Sequence, residues 1–142
     1  MLRSIAFWDA SVLVPLCVTQ PQSVQAASHF NKYRVSVWWA TRVEMTSAFV
    51  RLLRCREIDS QGYLQAQHEA ERYTTRCYVV EPSTRIALGA RTVLERYPLR
   101  ATDALQLAAA MEWCEGRPEG QVFLTFDQRL REAAGLAGFT LE

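Results

Sequence analysis

Residues 99–111 read LRATDALQLAAAM. From Ala104 to Met111 only Gln106 is polar, so a helix formed here has no wet face and must be buried. Its alanines let neighbouring elements pack close, and Asp103 sets a carboxylate at its mouth. Asp103 followed three residues on by Gln106 has the form of an acidic N-cap with a reciprocating side chain, worth about 1 kcal/mol. A functional carboxylate is the other reading, and it requires further acids at equivalent places in the chain.

Around this helix, strands and helices alternate. Residues 4–8 form an apolar run that ends at Asp9, and residues 11–18 carry helical spacing with Pro15 near the first turn. Gln20, Pro21 and Gln22 break the chain before a helix over 23–32 capped by Ser23. A Val- and Trp-rich strand over 34–39 follows, then a helix from Thr41 to about Arg54 with Glu44 in its first turn. A polar helix over 59–75, a strand over 77–80 closed by Pro82, and a helix over 83–96 broken at Pro98 lead into the buried helix. After a Gly- and Pro-rich loop come a strand over 122–125, Asp127 and a short helix over 128–134. Gly135 and Gly138 mark loops before a last strand over 139–141.

Such alternation implies parallel pairing, right-handed crossovers and helices on both faces of the sheet. The expected fold is a three-layer α/β/α sandwich around a mainly parallel sheet of four to five strands. With 142 residues and no repeat or long linker, one domain over 1–142 is expected.

Composition narrows the function. Hydrophobic residues make up 49%, which excludes disorder. No apolar run approaches the ~20 residues of a membrane span, and the first residues lack the form of a signal peptide, so no membrane role and a cytoplasmic location are expected. Cys17, Cys55, Cys77 and Cys114 form no C-x-x-C pair and read as reduced, mostly buried thiols. His29 and His68 stand alone in helical patterns, which disfavours zinc or histidine-based chemistry. The net charge of +1 gives no bulk attraction to nucleic acid, yet fifteen of the sixteen basic residues are Arg, the side chain suited to bidentate phosphate contacts.

The acids are more telling. Eleven are Glu and only four are Asp, namely Asp9, Asp59, Asp103 and Asp127. In an open α/β sheet, ligand sites lie outside the carboxyl ends of the strands, near helix N-termini. Asp9 and Asp127 follow predicted strands directly, and Glu44 and Asp103 occupy first helical turns, so all four converge if the layering holds. Each has a local reading too: Asp9 and Asp127 as N-caps, Thr41 with Glu44 as a capping box. Four converging anions, however, raise one another's pKa and destabilise the fold unless cations intervene. An all-oxygen donor set selects a hard ion, Mg²⁺ or Mn²⁺. Ser11 and Thr125, each two residues from an aspartate, are candidates to orient a ligand or an attacking water.

Four segments carry a family resemblance: FWDASVLVPL (7–16), RVEMTSAF (42–49), ATDALQLAAA (101–110) and FLTFDQRL (123–130). In order and spacing they resemble the motifs of PIN-domain ribonucleases, above all the VapC-type toxins of bacterial toxin-antitoxin pairs, over almost the whole chain. The resemblance implies Mg²⁺- or Mn²⁺-dependent endonucleolytic cleavage of RNA with Asp9, Glu44, Asp103 and Asp127 as metal ligands. It also implies a homodimer and neutralisation by a small antitoxin. Trp38 and Trp39 are bulkier than the family carries ahead of its second motif.

Arg42, Arg100 and Arg129 flank three of the acids and are candidates to meet the RNA backbone. A haloacid-dehalogenase reading fails because Asp9-Ala10-Ser11 is not Asp-x-Asp, and a phosphorylatable receiver lacks its late lysine, since Lys32 is the sole one. A non-catalytic RNA- or protein-binding module with a vestigial metal site stays open.

Overall fold

The computed structural model describes residues 2–142. The elements run β1 (Ser4–Trp8), α1 (Ala10–Cys17), α2 (Ser23–Lys32), β2 (Tyr33–Trp38), α3 (Thr41–Arg54), α4 (Ser60–Thr74), β3 (Tyr78–Val80), α5 (Thr84–Arg96), α6 (Ala101–Trp113), β4 (Val122–Leu124), α7 (Gln128–Ala137) and β5 (Thr140–Leu141). The strands form one sheet in the order β3-β2-β1-β4-β5. Every pairing is parallel, with Ala6 opposite Val35 on one side of β1 and Val122 on the other.

Side chains alternate across the sheet and feed two cores. Ala6, Trp8, Val35, Val37 and Leu124 face the layer that buries Val12, Leu13, Met45 and Phe49. Phe7, Trp38 and Phe123 face the opposite layer, with Leu107 and the alanines of α6, Ile86 of α5 and Leu130 of α7. The result is the expected α/β/α sandwich.

Helix α6 is buried from Ala104 to Ala110 except for partly exposed Leu105. The Asp103–Gln106 cap does not form. Arg100 is the N-cap and makes no side-chain cap bond, so Asp103 is the third residue inside the helix. Gln106 is 1% exposed and its Nε2 donates to the carbonyl of Trp8 at 3.4 Å, which ties α6 to the end of β1.

Other departures have local causes. Ser23 does not cap α2; its hydroxyl accepts the amide of Gln20 and donates to the carbonyl of Val18, fastening the preceding turn. Pro15 is the sixth residue of α1 rather than part of its first turn, where it removes one backbone bond from the helix. Gly135 is helical, and the chain turns at Gly138, whose φ of 112° is open to glycine. The four thiols are free, but Cys55 is exposed and the others only half-buried.

Candidate active site

The carboxyl edge of the sheet gathers the four acids. Asp9 leaves the end of β1, Glu44 lies in the first turn of α3, Asp103 in the first turn of α6, and Asp127 caps α7. All four line one open hollow of about 790 Å³, together with Ser11, Arg51 and Arg100. A larger hollow of about 840 Å³ lies against α5 and α6, so the chemistry of the lining, not size, singles out the first.

Asp9 is the best-fixed member. It is 6% exposed, its amide donates to the carbonyl of Leu124 at 2.9 Å, and its Oδ2 accepts Ser11 Oγ at 2.6 Å and Thr125 Oγ1 at 2.9 Å. Those hydroxyls are themselves held: Phe126 N donates to Ser11 Oγ at 2.9 Å and Asp127 N to Thr125 Oγ1 at 3.1 Å. Thr125 therefore leaves the β4 ladder, which ends at Leu124. Ser11 and Thr125 stitch the end of β1 to the end of β4 and aim the Asp9 carboxylate.

Local readings divide cleanly. Asp127 does cap its helix, through Oδ1 and the amide of Leu130 at 2.9 Å. Asp9 sits at an N-cap position but makes no side-chain cap bond. The Thr41–Glu44 box is absent, since Ala40 is the N-cap and Thr41 Oγ1 is buried without a partner. Asp59, the remaining aspartate, is a plain cap of α4 through Gly62 N at 2.7 Å.

The acids feel one another. Burial raises the pKa of Asp9 against the pull of its hydrogen bonds from Ser11 and Thr125. Glu44 is pushed up to about 7 by burial, then by the charges of Asp9 and Asp103. Asp103 is raised by burial and by the charges of Asp127 and Asp9, with Arg100 pulling the other way. The hollow thus concentrates negative charge that the protein itself leaves largely uncompensated. Among the described residues, no three His, Cys, Asp or Glu side chains are grouped tightly enough to hold an ion as they stand. The donor set is nevertheless all oxygen, the chemistry that suits a hard divalent cation.

The three candidate arginines are placed differently from one another. Arg100 lines the hollow. Arg42 turns away, its guanidinium donating to Thr46 Oγ1 at 2.9 Å and Gln67 Oε1 at 2.6 Å and lying 3.5 Å from Glu71. Arg129 is exposed on α7 and is not among the residues of the hollow. Arg51, which the sequence reading missed, also lines the hollow; it stands seven residues after Glu44, two turns along the same face of α3. Trp38 is buried in the core, whereas Trp39 is 54% exposed and lies outside the hollow.

The sequence profile of the PIN domain matches residues 6–136. The chain belongs to the PIN domain family. Among solved structures, this PIN domain is similar to Mycobacterium tuberculosis VapC20, described as a sarcin-ricin loop cleaving toxin, with a TM-score of 0.67, 19% identity and coverage of 95% of this chain and 96% of that one. It is likewise similar to FitAcB from Neisseria gonorrhoeae (TM-score 0.65, 15% identity, 96% and 97% covered). A third likeness is to a toxin-antitoxin complex from Klebsiella pneumoniae (TM-score 0.61, 17% identity, 87% and 88% covered). At these identities the likeness establishes a shared fold. A search of curated proteins finds no significant match. Among the described residues, no helix of this PIN domain is long and apolar enough to cross a membrane.

Proposed function

We propose that this PIN domain is a metal-dependent endoribonuclease and the toxin of a toxin-antitoxin pair, acting in the cytoplasm as a single-domain chain that forms a homodimer. The supporting observation is the meeting of Asp9, Glu44, Asp103 and Asp127 in one hollow at the carboxyl edge of the sheet, on a fold shared with solved toxins. These four carboxylates would hold Mg²⁺ or Mn²⁺. Such an ion supplies positive charge that acidifies water and offsets the charge of a phosphodiester during in-line displacement.

The protein's own part is positioning. Ser11 and Thr125 hold Asp9 Oδ2 fixed, so one oxygen of the most buried acid keeps a set direction. Glu44, raised to about 7, exchanges its proton readily near neutrality, and a cation in the hollow would favour its ionised form. Arg51 and Arg100 flank the acids and are suited to meet phosphates on either side of the bond to be cut. Neutralisation by an antitoxin is expected by analogy with the toxin-antitoxin complex.

The test is cleavage of RNA by purified protein with Mg²⁺ or Mn²⁺. Wild type is expected to cut, and Asp9→Asn and Asp103→Asn are expected to lose cutting while keeping their fold. Full activity in both variants would refute the assigned roles. If wild type cuts no RNA with either ion, the chain is a binding module.

A further inference from the structure

The opposite edge of the sheet is built with opposite charge. Arg3 precedes β1, Arg34 is the second residue of β2, Arg76 lies just before β3, and Arg72 comes from the last turn of α4. All four line one hollow of about 570 Å³, and none of its lining residues is acidic. The acids and these arginines thus occupy the two ends of the same parallel strands, an arrangement that the net charge of +1 conceals.

Among the described residues, only one of the four charges is offset by a nearby carboxylate: Arg72 Nη2 lies 2.8 Å from Glu69. Arg3 donates to the carbonyl of Phe30 and Arg34 Nε to the carbonyl of Arg3 at 3.0 Å, contacts that orient the guanidinium groups without cancelling their charge. Arg76 is exposed and makes no ion pair or side-chain hydrogen bond among the described residues. Like charges confined in this way repel, and an anion relieves them.

Aromatic rings hold the group in place. Arg3 lies over the Phe30 ring at 5.1 Å and Arg72 over the Tyr73 ring at 5.2 Å, while Phe30 and Tyr73 meet edge to face at 4.9 Å. Stacking uses the flat face of a guanidinium and leaves N–H edges for hydrogen bonds, so two donors are oriented before any ligand arrives. Tyr78, 62% exposed on the same hollow, adds a ring open to solvent. Exposed arginines beside one open ring match the two needs of single-stranded nucleic acid, phosphate neutralisation and base stacking. The carboxylates of an acidic peptide would pair with the arginines but gain nothing from the negative face of an open ring.

We propose that this hollow at the amino edge of the sheet is a second RNA-binding site, in which Arg72 and Arg76 contact backbone phosphates and Tyr78 stacks on a base. The site anchors RNA whose neighbouring segment reaches the acid-lined hollow at the other edge, and in that respect it rests on the ribonuclease reading.

Binding is measured on the full chain in EDTA, by anisotropy of a fluorescein-labelled oligouridylate over a series of KCl concentrations. Cutting is thereby suppressed, and cleavage is scored separately with Mg²⁺ or Mn²⁺. Removing two phosphate contacts in Arg72→Ala/Arg76→Ala is expected to weaken binding about tenfold and to reduce the slope of log K against log salt by about 1.4. Arg76→Lys is expected to keep the slope, and a thermal melt checks that each variant is folded. A folded double variant with unchanged slope overturns the proposal. So does a double variant that loses affinity for polyglutamate while binding RNA as before, which assigns the hollow to an acidic protein. Wild type that binds RNA through these arginines but never cuts it defeats the ribonuclease reading and leaves this site standing.

Discussion

Ser11 Oγ donates to Asp9 Oδ2 at 2.6 Å while accepting the amide of Phe126 at 2.9 Å. One hydroxyl thus couples the buried acid after β1 to the loop after β4. Ser11→Ala removes a donor from a carboxylate that burial already pushes toward protonation. The expected cost is about 1–2 kcal/mol in a urea melt, with RNA cleavage reduced about tenfold or more. Thr125→Ser, which keeps its hydroxyl, is expected to retain most of the activity that Thr125→Val loses.

Glu44 makes stability depend on pH in a stated direction. Its pKa rises from 4.5 to about 7 on folding, so its contribution is fully present below 4.5 and is lost as pH climbs through 7. Without divalent ions, wild type is expected to melt at lower temperature above neutrality than in mild acid. Glu44→Gln should remove part of that decline, about 1–2 kcal/mol after allowing for solvent screening of a half-buried group. Mg²⁺ or Mn²⁺ should raise the melting temperature of wild type more than that of Glu44→Gln. An equal response in both proteins counts against a ligand role for Glu44.

Arg51 and Arg42 lie on one helix and should behave oppositely. Arg51 faces the acid-lined hollow, and Arg51→Ala is expected to lower cleavage several-fold with little change in melting temperature. Arg42 fastens α3 to α4 through Gln67 and Glu71. Arg42→Ala is expected to cost about 1 kcal/mol and to leave the cleavage rate of the folded fraction intact.

Two glycines separate propensity from conformation. A Cβ added at Gly89 meets only Ala108 Cβ, at 3.5 Å, so Gly89→Ala is expected to stabilise α5 by about 0.5–1 kcal/mol. At Gly138 the φ of 112° already strains any other residue, and a Cβ would stand 3.0 Å from Pro118 Cγ. Gly138→Ala is expected to cost more than about 1 kcal/mol in the same melt.

What the sequence made legible follows from how each signal arises. Thr41–Arg54 could be bounded from the chain alone, because the Val- and Trp-rich run gives way to helical spacing at Thr41 and the mostly charged residues 54–59 end it. The sandwich followed from alternation, and the four acids from the rule that parallel sheets build sites at their carboxyl ends. Capping was read less well. Asp103–Gln106 and Thr41–Glu44 have the spacing of caps, but that spacing does not show that Gln106 is needed by the carbonyl of Trp8, or that Thr41 is fully buried. Arg42 departs from the expectation for a geometric reason. Residues two apart on a helix point to nearly opposite sides, so Arg42 is beside Glu44 in the chain and away from it in space, whereas Arg51, two turns on, shares its face.

The acid-lined hollow draws on residues 9, 44, 103 and 127, and its stitching joins the first strand to the fourth. No contiguous piece of the polypeptide holds a working fraction of it. During synthesis from the amino end, the hollow therefore stays incomplete until residue 127 has left the ribosome and β4 has docked beside β1. The proposed cleavage would then wait on the pairing of two strands more than a hundred residues apart.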